Sequence, residues 1–518
     1  MKKKSQFRSG RGATRFGHSQ PLQNFSLARL LELASAFRQA QALHQAGRLA
    51  EAEKIYGQIL KVEPKHADSL HLLGAVYYQR GNHAAAVRQI DLSLKVNSKN
   101  AHAFNNRGLA LQELKRLDEA LASYDKALAL KPDFAEVFNN RGLALQELRR
   151  FDEALLSFER ALTVQPDYAD VHWNEAILRL VTGDFGRGWA KYEWRWKSES
   201  LGVSKRNFSQ PLWLGAEAID GKTILLHSEQ GLGDTIQFCR YVPLVAARGA
   251  RVILEVQRPL HEIMTNLAGA TQVISKGDTL PDFDFQCPLP SLPLAFGTRL
   301  ETIPSATSYL RASDQTLKNW QARLGPKARP RIGLAWSGSP ANKNDQNRSI
   351  SLRSLLPLLD IDATFVSLQK DVRSGDAAVL KERNDVLHFE DAVKDFSNTA
   401  ALILQLDLVI SVDTSIAHLA GALGEPVWIL LSYNPDWRWL LDRDDSPWYP
   451  SARLFRQQQI GNWAGVIDQV KNELRSVRSF NALSNVPHAP TRSAVRPEIL
   501  ADEIQQPPIF GATWIASR

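Results

Sequence analysis

Cysteine is nearly absent: Cys239 and Cys287 are the two in 518 residues. That is too few for a disulfide framework, and the pair offers no metal-ligand spacing, so no metal site is expected and a reducing compartment, by default the cytoplasm, fits best. Long apolar runs are missing as well. No stretch of about 18 apolar residues occurs, and the first thirty positions carry no secretory signal, which predicts a soluble chain without a transmembrane segment. Acidic residues are absent before Glu32, while Lys2, Lys3, Lys4, Arg8, Arg11, Arg15 and Arg29 supply seven of the eight net positive charges. Beyond them the charges nearly cancel, which speaks against a nucleic-acid partner, whose footprint is a basic face on folded structure. Residues 1–32 read as a basic, disordered leader.

What is present is a repeat. The decapeptide NNRGLALQEL stands at 105–114 and again, letter for letter, at 139–148, a displacement of 34. In the same frame small residues recur at Ala40, Gly74, Gly108, Gly142 and Ala176. Alanines recur at Ala52, Ala86, Ala120 and Ala154, aromatics at Tyr56, Tyr124 and Phe158, and prolines at Pro64, Pro132 and Pro166. This resembles the tetratricopeptide repeat, a pair of helices touching through a small residue. Five units starting near residues 33, 67, 101, 135 and 169 predict an α-solenoid over 33–197, the last unit decaying where Gly188 replaces the alanine. Such a stack presents a concave groove suited to a protein or peptide partner. Asn105, Asn106, Asn139 and Asn140 line it if they project inward; otherwise they only cap helices, and the repeats only brace the next domain.

After a polar joint near 197–212 the period changes to strands alternating with helices, which predicts parallel α/β structure. KTILLH and RVILEV open a first lobe spanning 205–325, and GPKARP marks a hinge. RIGLAW, ATFVSL, VLHF, LDLVISV and PVWILL make five candidate strands of a second lobe, 328–477. Residues 478–518 turn to Ser, Pro and Asn without periodicity and read as a disordered tail.

Four segments carry chemistry. LVISVDTSIAH at 408–418 is an apolar strand stopping at Asp413, after which Thr414 and Ser415 can cap a helix whose free N–H groups suit a diphosphate. His418 lies one turn into that helix and can face the same ligand as Asp413, though a lone helical histidine is also a common structural residue. HSEQGLGDTIQF at 227–238 sets Gly231 and Gly233 between strand and helix, so backbone can approach a ligand, and Asp234 can take a hydroxyl proton or merely cap the helix. It is neither a Walker loop nor the three-glycine dinucleotide pattern, so kinase and dehydrogenase chemistry lose support. SGSPANKNDQNRS at 337–349 carries Lys343 and Arg348, able to hold a diphosphate or simply to be solvated, and Gln369 and Lys370 close a strand on the same edge. In NPDWRWLLDRDDSPWYP, Trp437, Trp439, Trp448 and Tyr449 can stack on a base, with core anchoring favoured.

Residues 205–475 resemble GT-B glycosyltransferases of the heptosyltransferase-like family 9. The likeness rests on Gly233, Asp234 and Pro243, and on the DTxxxH signature with LAxALxxP after it: Asp413, Thr414, His418, Leu419, Ala420, Ala422, Leu423 and Pro426. The resemblance implies two Rossmann-like lobes, Asp234 as base, and donor binding by Arg348 (Lys343 competing) and the Asp413, Thr414 and His418 signature; Gly233, Ser337, Gln369 and Ser415 join the donor-binding candidates from their places in the same segments. Ser415 stands where many members have glycine, and arginine where lysine is preferred, so donor identity does not transfer. The repeat-plus-transferase layout is also similar to protein O-GlcNAc transferases, a likeness of architecture.

The expectation is a metal-independent glycosyltransferase that moves a sugar with inversion from a nucleotide-sugar co-substrate to a hydroxyl acceptor, with no other cofactor. The alternatives are a repeat scaffold with a catalytically inactive GT-B part, and an epimerase-like enzyme sharing the two-lobe fold. Assembly into a homo-oligomer is left open.

Overall fold

The computed structural model describes residues 27–477, apart from 204, 343, 391, 392 and 394. The tail 478–518 and most of the leader lie outside the described residues. The leader's last six residues do not: the first helix begins at Leu27, because LARLLEL is built from strong helix formers. Contacts divide the chain into two compact units, Met1–Val171 and His172–Arg518.

The first unit is a tetratricopeptide-repeat solenoid. Its helices are α1 (Leu27–Gln45), α2 (Leu49–Val62), α3 (Ala67–Gln79), α4 (His83–Val96), α5 (Ala101–Glu113), α6 (Leu117–Leu130), α7 (Ala135–Glu147) and α8 (Phe151–Val164). The small residues have a direct steric cause. A Cβ on Gly108 would lie 2.4 Å from the Tyr124 ring, one on Gly142 2.5 Å from Phe158, and one on Gly74 2.5 Å from Ile90. The turn inside each pair needs a left-handed residue, supplied by Gly47 and Gly81 but by Lys115 (φ 58°) and Arg149 (φ 59°) in the third and fourth pairs.

The asparagines neither cap helices nor stand free in a groove. Asn105, Asn139 and Asn140 are buried within α5 and α7. Asn140 Nδ2 donates to Asn105 Oδ1 at 3.0 Å, Asn105 Nδ2 donates to Glu136 at 3.1 Å, and Asn106 Nδ2 lies 2.8 Å from His71 Nε2. Asn140 with Asn105 and Asn106 with His71 form a ladder joining successive repeats, since a buried amide needs partners and the residue 35 positions back, one place before its counterpart in the preceding repeat, provides them. Burial holds His71 down to about 4, so its imidazole is neutral.

The repeat frame continues through α9 (Ala169–Val181), within which the division falls, to α10 (Phe185–Tyr192). Two parallel sheets follow in the second unit. The first has order β3-β2-β1-β4, from β1 (Thr223–His227), β2 (Arg251–Val256), β3 (Ala270–Ser275) and β4 (Phe285–Pro288). The second contains β5 (Arg331–Ala335), β6 (Thr364–Ser367), β7 (Val386–His388), β8 (Leu408–Val412), β9 (Val427–Leu431) and β10 (Ala452–Arg456), in order β10-β9-β8-β5-β6-β7. Counted from its own first strand, that is the doubly wound order 3-2-1-4-5-6, whose direction reverses between β5 and β8. Among the described residues the second sheet thus has six strands where five are expected from sequence. Its central strands β5, β8 and β9 are buried at every position, as parallel strands covered on both faces must be.

Candidate functional site

β5 and β8 stay paired to Ala335 and Ser411, and beyond those ends, at the reversal point, a cavity of about 460 Å³ opens. After Val412 the chain passes through Asp413 into the helix Ser415–Leu423, and Thr414 caps it, its Oγ1 accepting from Ile416 N at 3.3 Å. Thr414, Ser415 and Ile416 line the cavity, so the helix's free N–H groups and partial positive charge face its interior. Gly421 lets this helix meet Tyr449, since a Cβ there would sit 2.4 Å from the ring.

The opposite wall comes from the loop after β1. Gly231 opens the helix Leu232–Phe238, and Asp234 Oδ2 accepts from Gly231 N at 2.8 Å, so the capping role is real. Asp234 Oδ1 pairs with Arg438, which also donates to Gln237 and to Asp436 and thereby ties the first-sheet helix to the loop after β9. Burial raises the Asp234 carboxyl above its usual range, against the pull of Arg438. At Gly233 the two walls come close together: a Cβ on it would lie 2.7 Å from His418 Cδ2. From outside, Tyr192 donates to Gln230 Oε1 at 3.1 Å and the fully buried Arg195 pairs with Glu229 at 2.6 Å, fixing the loop.

His418 is stacked on Trp439, with centroids 5.3 Å apart, and its Nδ1 is 2.8 Å from Tyr449 OH. Burial and the neighbouring Arg438, Arg240 and Arg348 hold it well below its usual value, so it is neutral. Its Nε2 is 4.0 Å from Asp413 Oδ1, too far for a hydrogen bond. Asp413 itself is raised to about 6 by burial and by nearby Asp436, against Arg348 and Arg438. A carboxyl so tuned can hold or release a proton near neutrality.

Arg348 Nη1 donates to Asp413 O at 3.0 Å, and its guanidinium lies close under Gly338, where a Cβ would meet Nη2 at 2.6 Å. Its buried Nε has no hydrogen-bond partner. Gln369 differs: Oε1 accepts from Trp336 N and Ser337 N, and Nε2 donates to Ser337 O and Asp371 O. The amide is fully occupied, so Gln369 shapes the wall instead of reaching a ligand. Lys370, exposed in the loop after β6, adds a cation to the lining.

Gly233, Asp234, Ser337, Arg348, Gln369, Asp413, Thr414, Ser415 and His418 therefore line one cavity. Lys343 lies outside the described residues. The tryptophans at 437, 439 and 448 are buried core residues, not stacking platforms. Between two of them sits Arg438, which sequence reasoning passed over together with Asp436. The available signal was two charges inside an aromatic run, where a buried ion pair is required.

The fold and site define a repeat solenoid joined to a parallel α/β unit with a cleft at its strand-order reversal. Family models agree for the repeats: TPR repeat matches residues 111–148, tetratricopeptide repeat 135–168, and anaphase-promoting complex, cyclosome, subunit 3 matches 31–127. Among curated proteins the chain is similar to Protein FlbA of Caulobacter vibrioides, 26% identical over 326 residues, covering 58% of this chain and 54% of FlbA. The chain thus spans about half the length of that relative. Similar solved structures include Pseudomonas aeruginosa pilF, 23% identical with TM-score 0.31, covering 35% of this chain and 80% of that one. MamA from Desulfovibrio magneticus is 18% identical with TM-score 0.29, covering 33% and 95%. Likenesses of that size carry no argument about function. No helix among the described residues is long and apolar enough to cross a membrane.

Proposed function

We propose that the chain is a GT-B glycosyltransferase that moves a sugar from a nucleotide diphosphate donor to a hydroxyl acceptor, the repeats binding a protein partner. The observation that carries this reading is the cavity at the reversal point of a doubly wound sheet, walled opposite by a glycine loop that bears a carboxylate. Arg348, Lys370 and the N-terminus of the 415–423 helix face the donor diphosphate and stabilise the charge that develops as it leaves. Asp234 accepts the acceptor's hydroxyl proton as the oxygen attacks the anomeric carbon. Gln369 and His418 hold the two walls in place without touching the reacting atoms.

A second reading has its own observation: both oxygens of Asp234 are engaged, by Gly231 N–H and by Arg438, as in a purely structural cap. It makes the α/β unit an inactive companion of a repeat scaffold. Titration with nucleotide diphosphates followed by a nucleotide-sugar turnover assay separates the two. In a transferase Asp234→Asn cuts turnover at least about a hundredfold with nucleotide affinity kept. Undiminished turnover rejects Asp234 as base, and a folded protein that binds no nucleotide diphosphate supports the scaffold.

A further inference from the structure

A second cavity, of about 560 Å³, lies at the carboxyl edge of the first sheet. It is also at a strand-order reversal, between β1 and β4. We propose that it is a separate binding site for an anionic, hydroxyl-bearing ligand, a sugar carrying a phosphate or a carboxylate. The inference goes beyond the nucleotide reading and stands even if the first cavity binds nothing.

Charge gives the sign. Lys205, Arg206 and Lys276 line the cavity against two carboxylates, Glu229 and Glu255. Glu255 is matched by Arg206, and Glu229 by Arg195 together with Trp196 Nε1. Arg195 also pairs with Glu193 at 2.6 Å, so the four cations Arg195, Lys205, Arg206 and Lys276 face three carboxylates, and one positive charge is left over, with Lys205 and Lys276 exposed.

Polar atoms in the floor give the hydroxyl preference. Ser228, 2% exposed, lines the cavity with an Oγ that has no hydrogen-bond partner, and His227, 4% exposed, has an unpartnered Nδ1. His227 Nε2 is 3.0 Å from Gln286 Oε1, and a neutral imidazole keeps one ring nitrogen as an acceptor. Burial holds this imidazole at about 4, so it stays neutral and can accept from a ligand hydroxyl at ordinary pH. Buried polar groups left unpaired are uncommon, and two adjacent ones on the wall of a polar cavity mark a place for a ligand's hydroxyls. The same loop serves both cavities, with Ser228 and Glu229 on this side and Leu232, Gly233 and Asp234 on the other.

Saturation-transfer NMR on the full chain with glucose 6-phosphate, glucuronate and glucose tests the site. At least one charged sugar should bind saturably and at least tenfold more tightly than glucose, the stronger of the two identifying the anion. Lys205→Ala/Lys276→Ala should weaken it at least tenfold, and Ser228→Ala at least threefold with the fold intact by circular dichroism. Arg348→Ala, in the first cavity, should leave it unchanged while weakening nucleotide diphosphate. The proposal is overturned if neither charged sugar binds, if the lysine and serine variants leave binding intact, or if Arg348→Ala abolishes it.

Discussion

At the scale of single residues, the site depends on Gly233 having no side chain. His418 cannot retreat from a new methyl, because Trp439 and Tyr449 hold its ring. Gly233→Ala should therefore push the walls apart and cut turnover at least about tenfold, since displacements on the order of 1 Å cost up to about a hundredfold. Gly375→Ala, where a Cβ meets nothing within 4 Å, is the matched control and should leave activity unchanged. Asp413 supplies a pH signature. Its folded value of about 6 lies above the unfolded one of about 3.9, so between those values the folded state binds the extra proton. Its contribution is full below about pH 4 and is lost as pH rises through about 6, a loss of up to about 3 kcal/mol. Denaturant unfolding at pH 4 and pH 7 should show a smaller fall for Asp413→Asn than for the parent; equal falls would remove Asp413 as the source.

At the scale of elements, the repeats expose how a fixed period writes itself into stability. Lys115 and Arg149 occupy the left-handed turn position that glycine fills at Gly47 and Gly81, at a strain of roughly 1 kcal/mol each. The double variant Lys115→Gly/Arg149→Gly should be more stable by about 1 kcal/mol, once loss of the exposed Lys115–Glu147 pair is allowed for. Gly142→Ala should move the other way, by about 1–3 kcal/mol, because Phe158 fills the space. Thermal melts that rank these variants otherwise would refute the steric account. The same period made the solenoid legible in sequence, since each helix pair repeats its small and aromatic residues. The sheets were less legible. β3 exposes Thr271 and Gln272 near its start, β4 has four residues ending in proline, and β10 alternates with arginines, so none shows the continuous apolar run that marked β5, β8 and β9. The site segments were visible because strand ends and helix starts carry local signals. For Arg438 the local signal was only its place beside Asp436 in an aromatic run, since the partners that tie it to the opposite wall, Asp234 and Gln237, lie 204 and 201 residues away.

At the scale of the whole molecule, two compact units divide at Val171 and His172, and ligand linkage should respect that division. A nucleotide diphosphate bound at a hundred times its Kd stabilises the binding unit by about 2.7 kcal/mol. Repeats open by local, nearest-neighbour steps, so α1 to α8 need not share that gain. Hydrogen exchange should therefore slow in β5, β8 and the 232–238 and 415–423 helices on adding nucleotide, by roughly a hundredfold for amides that open with the whole unit. Exchange in α1 to α8 should stay as it was. Equal slowing across α1 to α8 would mean that both units open as one, and slowing confined to α1 to α8 would move the nucleotide site out of the α/β unit altogether.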